Sequence, residues 1–517
     1  MKDDPETLLL RARDAAQQRR PLEALIAYDR IVELGVADEV VWRELAAVLM
    51  IGGEYAQARG AFEESLKRDP ENFQTLNDLA RVFYNLGDMD QAVSSLRRAI
   101  ALGDHPLCWL NLSVVLPGAP KATPTEVRSV RETCARRSGG TQEEGRHGER
   151  RLLRPDRPIR VGYLSAYFHA ANYMKPVWGL INHHDRERFE VVLLSDSALE
   201  KGMPGYRSDS RDQIVPTASL DVAQLRTRIE ELQLDLLVEL NAYSVPERLP
   251  VFHRSLSPVT LTWFNSYATT GLPGIEYIVG DNEVVRTEEY GLFSETVLTL
   301  PLSYLTFEVG HPAPPVAPPP CIKNAGLTFG SLVTQYKITS PVLNAWAEIL
   351  LEAPTSRLLL AGTFLKQPEN RNYVLAQFAA RGISAERLQL LGPAEHYKYL
   401  QYYDQIDVAL DAFPYNGGTT TMEAMWQGVP VLTFDGDRWA SRTSQSLIRR
   451  TPWSGDVAAD VGGYVDQAIA LANSAATPDR LSQRRKTMRE ELAASSACDA
   501  PRLAREMESL YKQVLAD

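Results

Sequence analysis

The chain has 517 residues, 44% of them hydrophobic and 23% charged, with a formal net charge of −11 at pH 7. That length supports roughly two to four domains with sizeable cores, and the acidic balance argues against nonspecific nucleic-acid or membrane binding by the whole chain. Cys108, Cys134, Cys321 and Cys498 lie far apart and form no C-x-x-C pair, which suggests neither a disulfide framework nor a zinc site and points to a reducing compartment.

The first residues, MKDDPETLLLRARDAAQQ, lack the apolar centre of a signal peptide. No window approaches the roughly 18 apolar residues of a membrane span. A cytoplasmic location is expected. Residues 5–116 then repeat with a 34-residue period: Ala24, Ala58 and Ala92 coincide, as do Tyr28, Phe62 and Leu96, and Ile31, Ser65 and Ala99. Leu45 matches Leu79 and Gly53 matches Gly87. Small residues at a helix crossing, a large one four later and a glycine in the turn describe stacked helix pairs of the tetratricopeptide kind. Three units and a degenerate fourth (107–116) are expected. Such stacks present a concave surface to a protein or peptide; the bland alternative is that they only cap the next domain.

Pro117, Pro120 and Pro124 break the period. A short helix is predicted over 126–137, a flexible spacer over 138–141, and a basic, solvated linker over 117–158. From 159 onward strands and helices alternate. Strands are predicted at 159–165, 189–194, 234–240, 259–264 and 277–279, with helices near 177–182 and over 221–233. This is the pattern of a parallel sheet covered on both faces, whose ligands bind beyond the carboxyl ends of its strands. Three loops qualify: 165–173 with His169, 241–244 with Asn241 and Tyr243, and 265–271 with Thr269, Thr270 and Gly271. His183-His184-Asp185 is the nearest metal-like cluster and reads as a solvated turn.

Six prolines in the nine residues 312–320 mark a stiff linker. A second α/β unit follows, with strands predicted at 327–332, 357–361, 387–391, 408–410 and 429–434 and helices over 341–351, 372–381 and 397–403. The stretch 407–446 dominates it. An apolar strand ends near Asp411 and Pro414, two glycines (Gly417, Gly418) and three threonines (Thr419, Thr420, Thr421) follow Asn416, and a helix runs on past Glu423. Unpartnered N–H groups and the helix dipole make such a start an anion site. Glu423 lies far enough along to grip a sugar hydroxyl instead. Lys337, in the loop after the first strand, adds the fixed charge a diphosphate leaving group needs. No Asp-x-Asp pair stands at a strand end, so a metal-free mechanism is expected.

These stretches resemble the O-GlcNAc transferase family, most closely its bacterial members. The resemblance rests on Arg160-Val161-Gly162-Tyr163-Leu164-Ser165, Ala268-Thr269-Thr270-Gly271, Gln335-Tyr336-Lys337, residues 411–423, Gly428-Val429-Pro430, Gly436-Asp437-Arg438 and Ala440-Ser441-Arg442. It implies an α plus α/β architecture: tetratricopeptide repeats (1–116), the linker (117–158), and a GT-B pair of Rossmann-like domains. The acceptor-side domain would cover 159–311 and, after a proline-rich connection (312–322), the nucleotide-sugar domain 323–517. It further implies inverting, metal-independent transfer from a UDP-sugar to a protein Ser or Thr, with Asn as a variant. By position, Lys337 and Gln335 fall on the phosphates, Thr419–Thr421 on the helix start, Glu423 on the ribose, and His396 and Tyr399 near the uracil. Lys337 and His169 are the candidate catalytic residues, and the acceptor would dock on the repeats. Departures fall elsewhere. Gly418 stands where animal members have histidine, Tyr167 replaces an aspartate, His169 is displaced, and Asn265-Ser266-Tyr267 replaces Gly-Tyr-Pro. These changes motivate two alternatives: a non-catalytic scaffold, or a transferase serving one dedicated bacterial surface protein or a small molecule.

Overall fold

The computed structural model describes residues 4–139, 157–197 and 202–516; the second half of the spacer expected at 138–141 and the linker from there to 156 lie outside them. The chain begins with paired helices: α1 (Pro5–Gln17), α2 (Pro21–Glu33), α3 (Glu39–Ile51), α4 (Tyr55–Arg68), α5 (Phe73–Leu86) and α6 (Met89–Gly103). Ala24, Ala58 and Ala92 are fully buried, with Tyr28, Phe62 and Leu96 beside them. Asp38 and Asn72 cap α3 and α5 by accepting from Val41 N and Thr75 N, as short polar N-caps do. α7 (Pro106–Val115) starts a fourth pair, and α8 (Pro124–Arg137) completes it. Val127 and Val130 of α8 join the same apolar core as Leu79 and Leu112. Arg131, in the run expected to be solvated, is instead buried, because α8 lies between the repeats and the first sheet.

The first sheet has seven parallel strands in the order β3-β2-β1-β4-β5-β6-β7. They are β1 (Ile159–Ser165), β2 (Phe189–Ser195), β3 (Gln213–Pro216), β4 (Leu236–Glu239), β5 (Val259–Thr262), β6 (Tyr277–Asp281) and β7 (Thr296–Leu300). β3 and β7, at the two edges, are not among the strands predicted from the sequence. Helices α9 (Lys175–Asn182) and α10 (Val222–Glu231) cover this sheet.

The second sheet runs β10-β9-β8-β11-β12-β13, also parallel: β8 (Thr328–Ser331), β9 (Arg357–Ala361), β10 (Leu388–Leu391), β11 (Val408–Leu410), β12 (Val431–Phe434) and β13 (Val457–Ala458). Its helices are α11 (Ser340–Glu352), α12 (Pro368–Ala379), α13 (His396–Leu400), α14 (Thr419–Trp426), α15 (Thr443–Ile448), α16 (Val461–Asn473) and α17 (Thr477–Ala493). Pro341 opens α11, where a missing N–H costs nothing, and Val342, Trp346, Ile349 and Leu350 bury its inner face. The proline-rich segment is held against α17: Arg489 donates to Pro314 O at 2.8 Å and Arg485 to Ala317 O at 3.1 Å.

The last helix, α18 (Ala500–Ala516), leaves the second lobe and packs on α9 of the first. It overturns the reading of His183-His184-Asp185 as a solvated turn. His184 is buried between Tyr163 OH (2.5 Å) and Glu508 of α18 (2.9 Å). Desolvation lowers its pKa, against the pull of Glu508. A second seam joins the lobes: Arg442, 1% exposed, forms a bidentate pair with Glu289 (2.7 and 2.8 Å), and Ser446 donates to Asp281 at 2.7 Å. No helix among the described residues is long and apolar enough to cross a membrane.

Candidate active site

In each sheet the chain runs outward and then returns to the middle, so the order reverses between β1 and β4 and between β8 and β11. The crevices beyond the strand ends at these points are where open α/β sheets hold ligands. In the second lobe that rule selects the turn after β8 and the loop after β11, which carry Lys337 and Asn416–Thr421.

The loop after β11 is built from inside. Asp411, at the strand end, accepts from Ala412 N, Gly417 N (2.8 Å) and Thr433 Oγ1 (2.8 Å). Burial raises its pKa, and these hydrogen bonds oppose the rise. Asn416 Nδ2 donates to Ala412 O and its Oδ1 accepts from Ser444 N. Gly417 has no alternative: a Cβ there would lie 2.6 Å from both Thr420 Oγ1 and Thr421 Oγ1. α14 then starts with Thr419. Thr419 and Thr420 line the cavity, while Thr421 is buried and paired with Ser444 Oγ at 2.7 Å.

Lys337 reaches across from the turn after β8. Its Nζ donates to Asn416 O at 2.6 Å and sits 3.8 Å from the centre of the Tyr415 ring. No carboxylate pairs with it among the described residues. Desolvation pushes its pKa down to about 8, with Asp411 pulling the other way. An ammonium without a counter-ion, beside the open end of a helix, is a place for an anion.

That place opens into a cavity of about 870 Å³ whose walls come from three parts of the chain. The second lobe gives Lys337, Tyr415 and Asn416–Thr420; the first gives Tyr173, Tyr243, Phe264, Asn265 and Tyr267; the repeats give Tyr84, Asn85, Leu110, Asn111 and Val114. The only carboxylate lining it, among the described residues, is Glu247.

Not every candidate meets there. His169 does not line the cavity, and its Nδ1 is buried without a partner. Thr269 and Thr270 bond the buried Glu295 through Oγ1 (2.7 Å) and N (2.6 Å). Gly271, at φ +68°, lets the backbone of α8 approach, since a Cβ would lie 2.7 Å from Arg131 C. These three residues serve packing against α8. Asn241 holds Ala166 N at 2.8 Å. Tyr243 lines the cavity with one face, takes the Arg131 guanidinium on its ring at 3.8 Å, and donates to Thr270 O. Gln335 donates to Leu86 O of the repeats, and Tyr399 to Leu332 O.

Glu423 and His396 form a separate cluster. Glu423 Oε1 accepts from Lys175 Nζ of the first lobe at 2.9 Å and from His396 Nε2 at 2.8 Å. Burial opposes its ionisation, but the His396 hydrogen bond and the Lys175 charge outweigh that and hold its pKa below the usual range. The His311 ring meets His396 edge-on, with centroids 4.6 Å apart. The ligand atoms of His311, His396 and Glu423 lie within 4.8 Å of one another, yet the Lys175 ammonium already stands as the cation on Glu423. Sequence reasoning missed Lys175 and Tyr415. Lys175 opens a helix in the other lobe, and nothing local marks it.

Residues 322–502 match the model of Glycosyl transferase family 41, and residues 49–109 that of a tetratricopeptide repeat. Among curated proteins the chain is similar to probable UDP-N-acetylglucosamine–peptide N-acetylglucosaminyltransferases named SPINDLY. It is 31% identical over 370 residues to that of Solanum lycopersicum (70% of this chain, 39% of the relative) and 30% over 373 residues to that of Arabidopsis thaliana (70% and 40%). The chain thus spans well under half the length of these relatives. A solved structure of a mutant O-GlcNAc transferase from Thermobaculum terrenum superposes with a TM-score of 0.83 at 27% identity, covering 100% of this chain and 98% of that one. With its repeats, two reversed-order parallel sheets and these matches, the chain belongs to the O-GlcNAc-transferase-like, tetratricopeptide-bearing glycosyl transferase family 41.

Proposed function

We propose that the protein transfers a sugar from a UDP-sugar to a protein side chain, without a metal, at the cavity between its lobes. The observation that carries this is the unpaired Lys337 ammonium facing the Thr419 end of α14 in that cavity. As the anomeric C–O bond breaks, negative charge grows on the diphosphate. The ammonium, the hydroxyls of Thr419 and Thr420 and the first N–H groups of α14 are already oriented to receive it, so no solvent need reorganise. UDP-N-acetylglucosamine is the donor in the names of the relatives and is the first to test here. Glu423 and His396, which the family resemblance puts at the nucleoside, form their own cluster with Lys175.

The acceptor enters from the repeats. Tyr84, Asn85, Leu110 and Asn111 share the cavity wall with Lys337, which supports a protein segment running from the repeat groove to the donor. The attacking hydroxyl must lose a proton. With His169 outside the cavity, a donor phosphate oxygen is the base that lies nearest by construction, since the donor brings it. Incubating the chain with a panel of nucleotide sugars and lysate proteins, then reading adducts by mass spectrometry, tests the proposal. A mass shift on Ser, Thr or Asn that Lys337→Ala abolishes is expected, because losing such a charge costs about 2–4 kcal/mol of transition-state stabilisation. Transfer by Lys337→Ala at the wild-type rate would overturn it.

A further inference from the structure

The repeats touch the catalytic turn directly. α5 ends at Leu86, and its cap Gly87, at φ +84°, lies against the turn Gln335–Lys337. A Cβ on Gly87 would sit 2.4 Å from Ile338 O and 3.2 Å from Gln335 O. Gln335 Nε2 donates back to Leu86 O at 3.3 Å. One turn earlier on α5, Tyr84 stacks on Tyr336 with centroids 4.8 Å apart and planes 14° apart. Tyr336 is in turn 5.8 Å from the Tyr415 ring, over which Lys337 Nζ sits. Tyr84, Tyr336, Tyr415 and Lys337 form one continuous layer.

On its far side the turn is held by the buried Ile338 and by Thr339 Oγ1, which donates to Phe413 O at 3.1 Å; the side that bears Tyr336 rests on the repeats. The turn is three residues long, and no side chain caps its start. The wider joint is also specific: Asn370 of α12 accepts from Ala56 N (3.1 Å) and donates to Gly53 O (2.8 Å), and Tyr55 stacks on Phe364. Glycine turns of two successive repeats, Gly53 and Gly87, are thus both used as contacts to the second lobe.

We infer that Tyr84 and Gly87 are positioning residues for Lys337, so that the repeats set the rate of sugar–diphosphate cleavage as well as offering a surface to the acceptor. The inference rests on the reading of Lys337 as the cation for the leaving diphosphate. A displacement of about 1 Å in such a group costs up to about 10²-fold in rate. A repeat that only docks the acceptor has no means of affecting a reaction without one. Donor hydrolysis is that reaction. Water bonds to the anomeric carbon, the carbon–oxygen bond to the β-phosphate breaks, UDP leaves with that electron pair, and the surplus proton passes to solvent.

The test uses the full chain with UDP-N-acetylglucosamine alone, following UDP release for Tyr84→Ala, Tyr84→Phe, Gly87→Ala and Lys337→Ala, with a melting curve for each. Tyr84→Ala and Gly87→Ala are expected to lower kcat about 10- to 100-fold with donor KM little changed, while Tyr84→Phe, which keeps the ring, stays near wild type. In Tyr84→Ala the alkaline limb of the pH–rate profile should also move up, as water reaches Lys337. Wild-type hydrolysis by Tyr84→Ala and Gly87→Ala, with only transfer to protein impaired, would overturn the inference and leave a docking role. A loss carried by KM, or a loss in Tyr84→Phe equal to that in Tyr84→Ala with collapsed melting, would overturn it too. Wild-type hydrolysis by Lys337→Ala would instead remove the underlying reading, and the inference with it.

Discussion

Lys175 at the start of α9 and Glu423 in α14 meet across the two lobes, 2.9 Å apart and both under 10% exposed. The pair is a buried ion pair at the interface of the lobes. Removing one partner of a buried pair leaves a charge with neither solvent nor counter-ion, which costs about 3–5 kcal/mol. Lys175→Met is therefore expected to lower the melting temperature clearly, and Lys175→Met with Glu423→Gln to recover much of the loss. Thermal melts of the two variants check this. A single variant as stable as the wild type would show that His396 alone satisfies Glu423.

Gly417 and Gly418 are neighbours with unequal constraints. A Cβ on Gly417 meets two hydroxyls at 2.6 Å, one of them the Thr421 hydroxyl that bonds Ser444. A Cβ on Gly418 meets Leu305 Cδ1 at 3.3 Å and Thr443 Cγ2 at an ordinary 3.7 Å. Gly417→Ala is expected to weaken UDP binding by about 1–2 kcal/mol, roughly tenfold in Kd, through displacement of the threonine donors. Gly418→Ala should stay within about threefold, the flexible leucine giving way. Calorimetry with UDP measures both.

Much of this was legible locally. The 34-residue period, the buried strands and the glycine–threonine helix start all follow from patterns within one or two turns of chain. What was not legible is set by distant parts. His184 reads as a surface turn until α18, over 300 residues later, covers it. Arg131 reads as part of a basic run, yet its guanidinium lies on Tyr243 and donates to Thr269 O at 2.6 Å. Thr269-Thr270-Gly271 has the composition of an anion loop, and only the position of Glu295 and α8 shows its hydroxyls engaged. Gly87 looked like a repeat turn, which it is; its contact with Ile338 needed the fold.

His169 tests how the acceptor is activated. Removing a true general base costs about 10²- to 10⁴-fold. Since His169 does not line the cavity, His169→Gln is expected to leave kcat for transfer within about threefold of wild type, far from that range. A loss of about a hundredfold, with donor hydrolysis intact, would place a proton-transfer role on His169 and displace the donor phosphate from it.

Lys337 sets a pH dependence in which activity and stability part company. Its charged form is the useful one, and desolvation brings its pKa down to about 8. In the free enzyme, transfer should therefore hold below pH 8 and fall above it. Stability has the opposite sign. Between pH 8 and the ordinary lysine value of about 10.4 the unfolded chain binds more protons at this group than the folded one, so its contribution to folding stability rises with pH. Loss of rate above pH 8 is thus not a loss of fold. Bound UDP should oppose the shift, because the diphosphate supplies the counter-ion that Lys337 lacks. The limb seen in kcat, reporting the complex, should then lie above the limb seen in kcat/KM, which reports the free enzyme. Initial rates over about three pH units upward from neutrality, with melts at each point, check all three statements. Coincident limbs in kcat and kcat/KM would mean that Lys337 does not contact the diphosphate.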